Sequence, residues 1–352
     1  MSRALDDPML GTVPAAAPRS SGYRRLIAFT VLLTFALIMV GAYVRLTDAG
    51  LGCPDWPGCY GKLSPFHAKD AIAQAVAEQG GEHGPVSMGK AWREMGHRYV
   101  AKLLGLLIIA IAVIAWRRRH LLKQSPVLPI ALVGVVILQG LFGMWTVTLL
   151  LKPAIVTGHL IGGLLTLALL VWLWLRQQPQ PRYVDAEPAA ALRGAALLGL
   201  VLLSAQIILG GWTSTNYAAL ACTDLPTCQG RWWPEMDFAN AFHVLRELGK
   251  TGDGEILSMQ ALTAIHFMHR VGAVVVALYL GWLGWRVSRA PGLRPLGLTL
   301  LAALLVQLVL GVSNVIYSLP LPVAVAHNGG AALLLGLLVV LNFRAYRARL
   351  QI

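Results

Sequence analysis

Eight apolar segments, each close to the length of a membrane-crossing helix, constrain this chain more than any other feature of its sequence. A bilayer core of about 30 Å needs about 20 predominantly apolar residues per helix. Charged residues make up 13% of the chain, against about a quarter in soluble proteins. The pattern predicts an all-α integral membrane protein. The expected spans are 26–44, 97–116, 127–149, 154–175, 194–212, 261–285, 295–316 and 322–343.

The charges are distributed unequally between the two sides of the predicted membrane. The termini and the connections on their side hold 17 Lys/Arg against 4 Asp/Glu, whereas the other side holds 10 against 12. Cytoplasmic loops carry the excess of Lys and Arg, so both termini are expected in the cytoplasm. The net charge of +13 therefore indicates topology rather than nucleic-acid binding. The first 25 residues lack a signal-peptide core, so the first span should be retained.

The two halves of the chain repeat one another. Gln139 and Gly143 recur as Gln307 and Gly311, and "MGHR" at 95–98 recurs as "FMHR" at 267–270. Each half has four helices, an even number, so both halves should enter the membrane in the same orientation. The repeat predicts two tandem four-helix bundles, related by a pseudo-two-fold axis along the membrane normal. The expected divisions are a tail 1–25, bundles 26–175 and 194–343, a linker 176–193 and a tail 344–352.

All four cysteines lie in two similar loops on the side opposite the termini. They occur in "GAYVRLTDAGLGCPDWPGCYG" (Gly41 to Gly61) and "GGWTSTNYAALACTDLPTCQG" (Gly210 to Gly230). In a bacterial inner membrane this is the oxidising, periplasmic side. Short disulfides are expected between the members of each pair, which are Cys53, Cys59, Cys222 and Cys228. A zinc site usually has C-x2-C spacing and is a weaker interpretation, and a redox-active first pair is the main alternative.

Five of the nine histidines lie in or at the membrane, where ionisable residues are rare and usually functional. A lone histidine there can be a simple hydrogen-bonding group, but four of the five recur as two equivalent pairs. Each pair comes from the second and fourth helices of its half, in the first turns. Two imidazoles facing each other inside a bundle suit the axial positions of haem iron. The pairs are His97 with His159 and His269 with His327; His67, His83, His120 and His243 are expected in solvated loops or flanks.

Arginine and glycine residues accompany the histidines. Arg98 and Arg270 each directly follow a histidine and are candidates to neutralise haem propionates, although snorkelling to lipid headgroups explains them equally well. Glycines beside the histidines would let backbones approach a porphyrin, or would simply pack helices. Those glycines are Gly105, Gly162, Gly163, Gly272, Gly329 and Gly330.

The two predicted sites differ three residues before the first histidine of each pair. Glu94 precedes His97, whereas His266 precedes His269. Positions i and i+3 share one helix face, so the first site has a carboxylate beside its candidate iron ligand. A carboxylate near an apolar pocket can move protons. The difference predicts chemistry in the first half and electron transfer in the second; the alternative is a Glu94 that lies at the interface in water.

Several ordered motifs resemble the haem A synthase family of bacterial and mitochondrial respiration. They are "GAYVRLTDAGLGCPDWPGCYG", "EMGHRY", "TGHL", "IHFMHR" and "AHNGG", and the resemblance extends from about Tyr23 to Leu341. Members of this family are membrane enzymes that convert haem O into haem A. They oxidise the C8 methyl group to a formyl group by successive hydroxylations, and the product goes to cytochrome c oxidase. The segment 68–92 departs from the family pattern and has no assigned role.

The resemblance also implies roles for particular residues. In the first half, His97 and His159 would bracket the substrate haem O beside a catalytic Glu94. In the second half, His269 and His327 would ligate haem b. The pair Cys53 and Cys59 is implicated in activity, and Cys222 and Cys228 in structure. Haem O synthase and cytochrome c oxidase assembly factors are the implied partners.

Three other functions use parts of the same pattern. A two-haem transmembrane cytochrome would need the four histidines but neither Glu94 nor haem O. A non-catalytic haem carrier would also bind haem. A repeat-built transporter fits less well, because its helices are typically broken near the midplane and the prolines here cluster at helix ends. Production of haem A from haem O separates the enzyme from all three.

Overall fold

A computed structural model describes residues 21–81, 84–178 and 187–349, and the regular structure in these ranges is helical. Eight of the helices in the described ranges are long and apolar enough to cross a membrane: α1, α3, α5, α6, α8, α10, α11 and α12. The helices are α1 (Ser21–Leu46), α2 (Lys69–Glu78), α3 (Met88–Arg117), α4 (Arg119–Leu122), α5 (Val127–Thr148), α6 (Pro153–Gln177), α7 (Glu187–Ala191), α8 (Arg193–Thr215), α9 (Phe238–Ala241), α10 (Met259–Arg289), α11 (Arg294–Ile316) and α12 (Leu321–Arg349).

Each predicted span falls on one of these long helices, and α3 begins nine residues before its predicted start. The Ser87 hydroxyl caps α3 by accepting from the Lys90 N–H at 3.2 Å. The Ser258 hydroxyl caps α10 in the same way. His97 therefore lies nine residues after Met88, about 13 Å along the helix, rather than at its start. The polar residues before His97 hid this extension, because the apolar pattern begins only after them.

The long helices pack as two closed rings of four. In the first half α1 contacts α3, α3 contacts α5, α5 contacts α6 and α6 contacts α1. In the second half α8, α10, α11 and α12 make the equivalent cycle. The halves meet where α6 contacts both α8 and α12 and where α12 contacts α1. If the two halves are exchanged, the α6–α8 contact becomes the α12–α1 contact and the α6–α12 contact is unchanged. This pattern is compatible with the predicted pseudo-two-fold axis.

Two side-chain contacts between the halves join residues that are 169 positions apart. An Arg45 Nη2–H donates to the Ser214 carbonyl at 2.5 Å, and the Tyr217 hydroxyl donates to Asp48 Oδ1 at 2.8 Å. The same spacing separates Cys53 from Cys222. At a two-fold axis, equivalent residues of the two halves meet each other. Both contacts are therefore compatible with an axis passing between the cysteine loops.

The predicted linker and tails are partly helical. The linker contains α7, which packs against α12 and buries Ala189. The tail predicted from 344 continues α12 as far as Arg349. The predictions for 1–20, 179–186 and 350–352, and for the loop position of His83, concern residues outside the described ranges.

Candidate functional site

The two cysteine loops have the same covalent and backbone structure. Disulfides join Cys53 to Cys59 and Cys222 to Cys228. The zinc interpretation is therefore wrong, and within the described ranges no group of three or more His, Cys, Asp or Glu residues could hold a metal ion. Each loop turns through a glycine with positive φ, at +70° for Gly61 and +72° for Gly230. A Cβ at either position would strain the turn.

An aspartate holds each of these turns. Asp55 accepts from the backbone N–H of Tyr60 at 2.6 Å and of Gly61 at 2.8 Å. Asp224, its counterpart, accepts from the next two N–H groups after its own cysteine and also from the Thr227 hydroxyl. The Thr227 hydroxyl and these backbone donors lower the pKa of Asp224 to about 2. Gly58 stands where the first loop would need such a hydroxyl.

An arginine fastens each loop to the helix that carries the histidine. An Arg98 Nη1–H donates to the carbonyls of Asp55 at 2.9 Å and Gly58 at 2.6 Å. Arg270 donates to the carbonyls of Asp224 at 2.7 Å, Thr227 at 3.0 Å and Cys222 at 2.6 Å. Both guanidinium groups thus bind loop carbonyls. Neither the propionate role nor snorkelling to headgroups is needed to account for their positions.

Glu94 is buried and fully engaged. Its side chain forms an ion pair with Arg98, and Glu94 Oε2 accepts from the Cys53 N–H at 2.8 Å. With 4% of its surface exposed, Glu94 is not an interfacial residue in water, and that alternative is wrong. The carboxylate therefore links the disulfide loop to α3 one turn before His97.

His266 takes the equivalent place in the second half. His266 Nδ1 lies 3.2 Å from the Cys222 N–H donor, and the Arg270 Nε lies 3.3 Å from His266 Nε2. A neutral imidazole has a single acceptor nitrogen, whereas a carboxylate accepts from several donors at once. Only one of these two contacts of His266 can therefore be a hydrogen bond. The equivalent arrangement of cysteine loop and arginine therefore surrounds a charged acceptor, Glu94, in the first half and a weaker, neutral acceptor, His266, in the second.

The structure brings the first histidine pair together. The rings of His97 on α3 and His159 on α6 have centroids 6.5 Å apart and planes inclined at 78°. That gap is close to the length of two metal–nitrogen bonds of about 2 Å plus the two ring radii. Within the described parts of the chain, Nδ1 of both rings is buried without a hydrogen-bond partner. Facing rings with free nitrogen atoms fit the axial positions of an iron porphyrin. His269 on α10 and His327 on α12 hold the equivalent positions in the second half.

A glycine on the neighbouring helix lies against each histidine ring. A Cβ built on Gly41 would lie 3.2 Å from His97 Cε1, and one on Gly210 would lie 2.9 Å from His269 Cε1. The corresponding distances are 3.4 Å for Gly143 against His159 and 3.1 Å for Gly311 against His327. Four ring positions are thus set by four glycines, and the sequence repeat could have identified the Gly143 and Gly311 pair from the spacing alone.

Several of the glycines expected beside a porphyrin have other neighbours. Gly162, Gly272 and Gly330 lie under glutamine side chains, and Gly329 lies under Met39. A Cβ on Gly105 would meet nothing within 4 Å. These positions are therefore explained by helix packing or remain open, and the glycines that touch the histidines are different ones.

The segment 68–92 contains a helix that sequence reasoning did not find. The short amphipathic α2 packs Ile72 and Ala75 into a cluster with Cys53, Cys59 and Met95. Both cysteines of the first disulfide are fully buried, and Cys222 and Cys228 of the second are buried to the same degree. The i, i+3, i+4 spacing of Ile72, Ala75 and Val76 was a signal for α2. The segment is too short and too polar to stand out beside the membrane spans.

The sequence of the chain matches a known family along most of its length. The model of the COX15-CtaA family, described as cytochrome oxidase assembly protein, matches residues 24–339. A protein of Shewanella oneidensis named heme A synthase is 42% identical over 318 residues, which cover 90% of this chain and 95% of that protein. A protein of the same name from Hyphomonas neptunium is 30% identical, covering 90% and 92% of the two chains.

A more distant bacterium has a similar protein. A heme A synthase of Halalkalibacterium halodurans is 28% identical over 317 residues, covering 87% of this chain and 92% of that protein. The match thus includes both helix bundles, both cysteine loops and all four paired histidines. This chain is a multi-pass membrane protein that belongs to the COX15-CtaA family of cytochrome oxidase assembly proteins.

Proposed function

We propose that this protein is a haem A synthase, an enzyme that oxidises the C8 methyl group of haem O to a formyl group for cytochrome c oxidase. The proteins it resembles along nearly their whole length carry that name. The observation that carries the proposal is the facing pair of imidazoles, His97 and His159, with Glu94 one helical turn away. An apolar bundle with two imidazoles can hold an iron porphyrin.

The first half is the proposed substrate site. His97 and His159 would bind the iron of haem O and fix the ring between α3 and α6. Each hydroxylation replaces a C–H bond of the methyl carbon with a C–O bond. With water supplying the oxygen, two electrons and two protons leave, and the electrons pass to an acceptor outside the first half. The buried Glu94 carboxyl group, paired with Arg98, lies one turn before His97 and would take up a proton released there. Successive hydroxylations would carry the methyl group to the formyl stage.

The second half is the proposed haem b site, with His269 and His327 as ligands. A bound haem b would supply one-electron transfer, giving the electrons removed from the substrate a route out of the first half. His266 in place of Glu94 leaves this half without a carboxylate beside its ligand. Arg270 and the Cys222–Cys228 disulfide hold its loop and need no redox role.

The proposed division of the chain follows the bundles. Residues 26–175 would form the substrate half and 194–343 the haem b half, joined by 176–193, with tails 1–25 and 344–352. The distribution of Lys and Arg supports cytoplasmic termini and periplasmic cysteine loops in a bacterial inner membrane. Haem O synthase as the source of substrate, and oxidase assembly factors as receivers of product, are the proposed partners.

The deciding experiment is extraction of haem from membranes that contain this chain together with haem O synthase. Reverse-phase chromatography separates haems B, O and A. We expect haem A with the natural chain and none with His97→Ala. Haem B and haem O alone, with a folded and haem-loaded protein, would contradict the proposal and favour a two-haem cytochrome or a haem carrier.

A further inference from the structure

A lysine lies on the lipid-facing surface of α3. Between Tyr99 and Trp116 this helix has one charged residue, Lys102, and its side chain is exposed. It follows His97 by five residues, about 7.5 Å along the helix. The helix is long and apolar enough to cross a membrane, so an exposed side chain at this depth meets lipid. Ionisable side chains in such places are rare and usually functional.

The charge of Lys102 is not used within the fold. Its Nζ lies 5.8 Å from the centroid of the Tyr99 ring, a cation–π contact worth about 0.5–1 kcal/mol at an exposed site. The Tyr99 hydroxyl donates to the Leu63 carbonyl at 2.6 Å, which fixes the ring. Among the residues that the structure describes, the ammonium group has neither a hydrogen bond nor an ion pair. The cation is therefore held in place without a counter-charge.

The second half has no such cation. The 172-residue shift that relates His97 to His269 places Val274 at the position of Lys102. Val274 is 60% exposed, so it occupies the same kind of surface. From Val271 to Trp285 the helix α10 has no charged residue. The repeated fold therefore does not require a lysine here, and the lysine occurs in the half that is proposed to bind a substrate.

The arginines beside the histidines are engaged elsewhere. Arg98 binds loop carbonyls and pairs with Glu94, and Arg270 binds the carbonyls of its own loop. Lys102 lies on the same helix and is free of such contacts. Five residues correspond to a rotation of about 140° around the helix, so Lys102 faces away from His97. It would therefore meet a ligand that approaches from the bilayer, before that ligand reaches the histidine pair.

The proposed substrate has the chemistry to meet a cation in lipid. Haem O carries two propionate carboxylates on an apolar ring with a farnesyl chain, so it partitions into the bilayer and takes its carboxylates there. A charge in a medium of low dielectric constant is attracted strongly by an opposite charge. An exposed ammonium group at the lipid-facing surface supplies that opposite charge.

The helix α3 is also attached less firmly to α1 than α10 is to α8. Tyr279 and Gln206 each form a hydrogen bond between α10 and α8, both at 2.9 Å. The equivalent residues of the first half are Leu107 and Leu37, which can form neither bond. Lipid chains replace apolar contacts between helices at little cost, but they cannot replace a hydrogen bond. The helix that carries Lys102 can therefore separate from α1 more easily than its counterpart can from α8.

The neighbour on the other side shows the same difference. The helices α10 and α11 cross in backbone contact, because a Cβ on Gly297 would overlap the backbone nitrogen of Ser288. Pro129 of α5 stands at the position equivalent to Gly297. The close glycine crossing is thus confined to the second half, where a resident haem would have to stay.

We propose that Lys102 binds a carboxylate of the incoming haem substrate at the lipid-facing surface of α3, as an entry site from which the substrate moves inward to His97. The inference rests on the proposed function for its substrate. The ammonium group neutralises a propionate while the ring is still in the bilayer, and the weakly attached α3 lets the ring pass. A phospholipid phosphate offers the same anionic chemistry, and the test separates these two anions.

The test combines a change in the protein with a change in the ligand. Haem-free, full-length protein in phosphatidylcholine nanodiscs is mixed with haem B, which has the same two propionates, or with haem B dimethyl ester, in which both are neutral. Absorbance follows haem uptake. We expect Lys102→Met to slow uptake of haem B by roughly 10-fold, at the low end of electrostatic effects on association. Uptake of the ester should be unaffected by the substitution, and Lys102→Arg should keep the natural rate for both.

Val274→Met is the matched control in the second half and should leave both rates unchanged. An unchanged rate of haem B uptake in Lys102→Met would overturn the inference. Equal slowing of haem B and its ester would overturn it as well, since Lys102 would then act through phospholipid or structure. If Lys102→Met does not fold, Lys102→Gln provides the same comparison. Failure of the proposed function would instead appear as missing haem A in membranes of the natural chain, which these uptake rates do not involve.

Discussion

The two cysteine loops are built on one frame, yet the side chain that meets the first cysteine differs between them. In both halves an arginine on the histidine-bearing helix binds loop carbonyls, and an aspartate closes the turn after the disulfide. Within that frame Glu94 accepts from Cys53 in the first half, and His266 lies against Cys222 in the second. The arginine and aspartate contacts that both halves share fix the geometry of the loop. The side chain that differs, Glu94 or His266, changes the local charge and lies one turn before a candidate iron ligand.

Exchange of these two side chains tests the comparison most severely. Glu94→His would give the first half the acceptor that the second half already uses, so the loop should remain in place. We expect haem A formation to fall by at least about 100-fold, because the negative charge is lost and the single acceptor nitrogen of a neutral imidazole would be occupied by the Cys53 N–H or by Arg98. Haem A in extracted membranes and total bound haem are the measurements.

His266→Glu is the matched control for this exchange. It places a carboxylate beside Arg270, and haem A formation should remain within a few-fold of that of the natural protein. Full activity in Glu94→His with normal haem content would show that Glu94 only holds the loop, and the two halves would then differ in chemistry elsewhere.

Removing Arg98 should lower the free energy of unfolding more than removing Arg270. Arg98→Leu leaves Glu94 buried without its partner, so we expect a loss of about 3–5 kcal/mol in the free energy of unfolding. Arg270→Leu leaves carbonyls without donors but strands no charge, and about 1–3 kcal/mol should be lost. Thermal unfolding in detergent compares the two. The double variant Glu94→Gln/Arg98→Leu should recover part of the first loss; no recovery would mean that the ion pair does not account for the difference.

The disulfides should be equal in stability and unequal in function. Both join cysteines separated by 6 positions, so replacing either pair with serines should cost about 2 kcal/mol. If Cys53 and Cys59 take part in turnover, as the family resemblance implies, their replacement should lower haem A formation well beyond the fall in folded protein. Equal falls in haem A for the two pairs would assign the first disulfide to structure alone.

The smallest expected difference concerns acid stability of the second loop. The Thr227 hydroxyl and backbone donors hold the pKa of Asp224 at about 2, below its ordinary value of 3.8. A depressed pKa in the folded state contributes stability above the ordinary value, and the contribution disappears as the pH falls from about 4 to about 2. Thr227→Gly, which gives this loop the residue of the first, should move its acid transition to higher pH. Proteolysis of the loop across this range would detect the shift, and an unmoved transition would contradict it.

The spans and histidine pairs were predictable because hydrophobic length and repeat spacing act over many residues. Seven of the eight predicted spans lie within a long helix and the span 127–149 passes the end of α5 by one residue, and the repeat identified four histidines from two short motifs. The helix starts were less predictable. Capping by Ser87 extends α3 through polar residues that belong outside an apolar window. Local capping therefore determined how deep along its helix His97 lies.

The roles of the charged residues could not be read from spacing. Arg98 and Glu94 lie one turn apart, but their partners, Asp55, Gly58 and Cys53, are about 40 residues earlier in the chain. Gln206 shows the same limit, since its bond to His269 crosses from one helix to another. Sequence spacing finds neighbours on a single helix. Contacts between a loop and a helix require the fold.

The placement of α2 has a consequence for how the first disulfide exchanges electrons. Cys53 and Cys59 lie beneath α2 and against α3, with no surface exposed. A thiol reagent or reductase can reach the sulfur atoms only after this part of the structure opens locally. While closing is faster than reaction, the rate of reduction is proportional to the population of the open form and to the reductant concentration, and at high reductant concentration it levels off at the rate of opening. The buried cluster that α2 shares with Cys53 and Cys59 therefore slows reduction of this bond while the surrounding chain is folded.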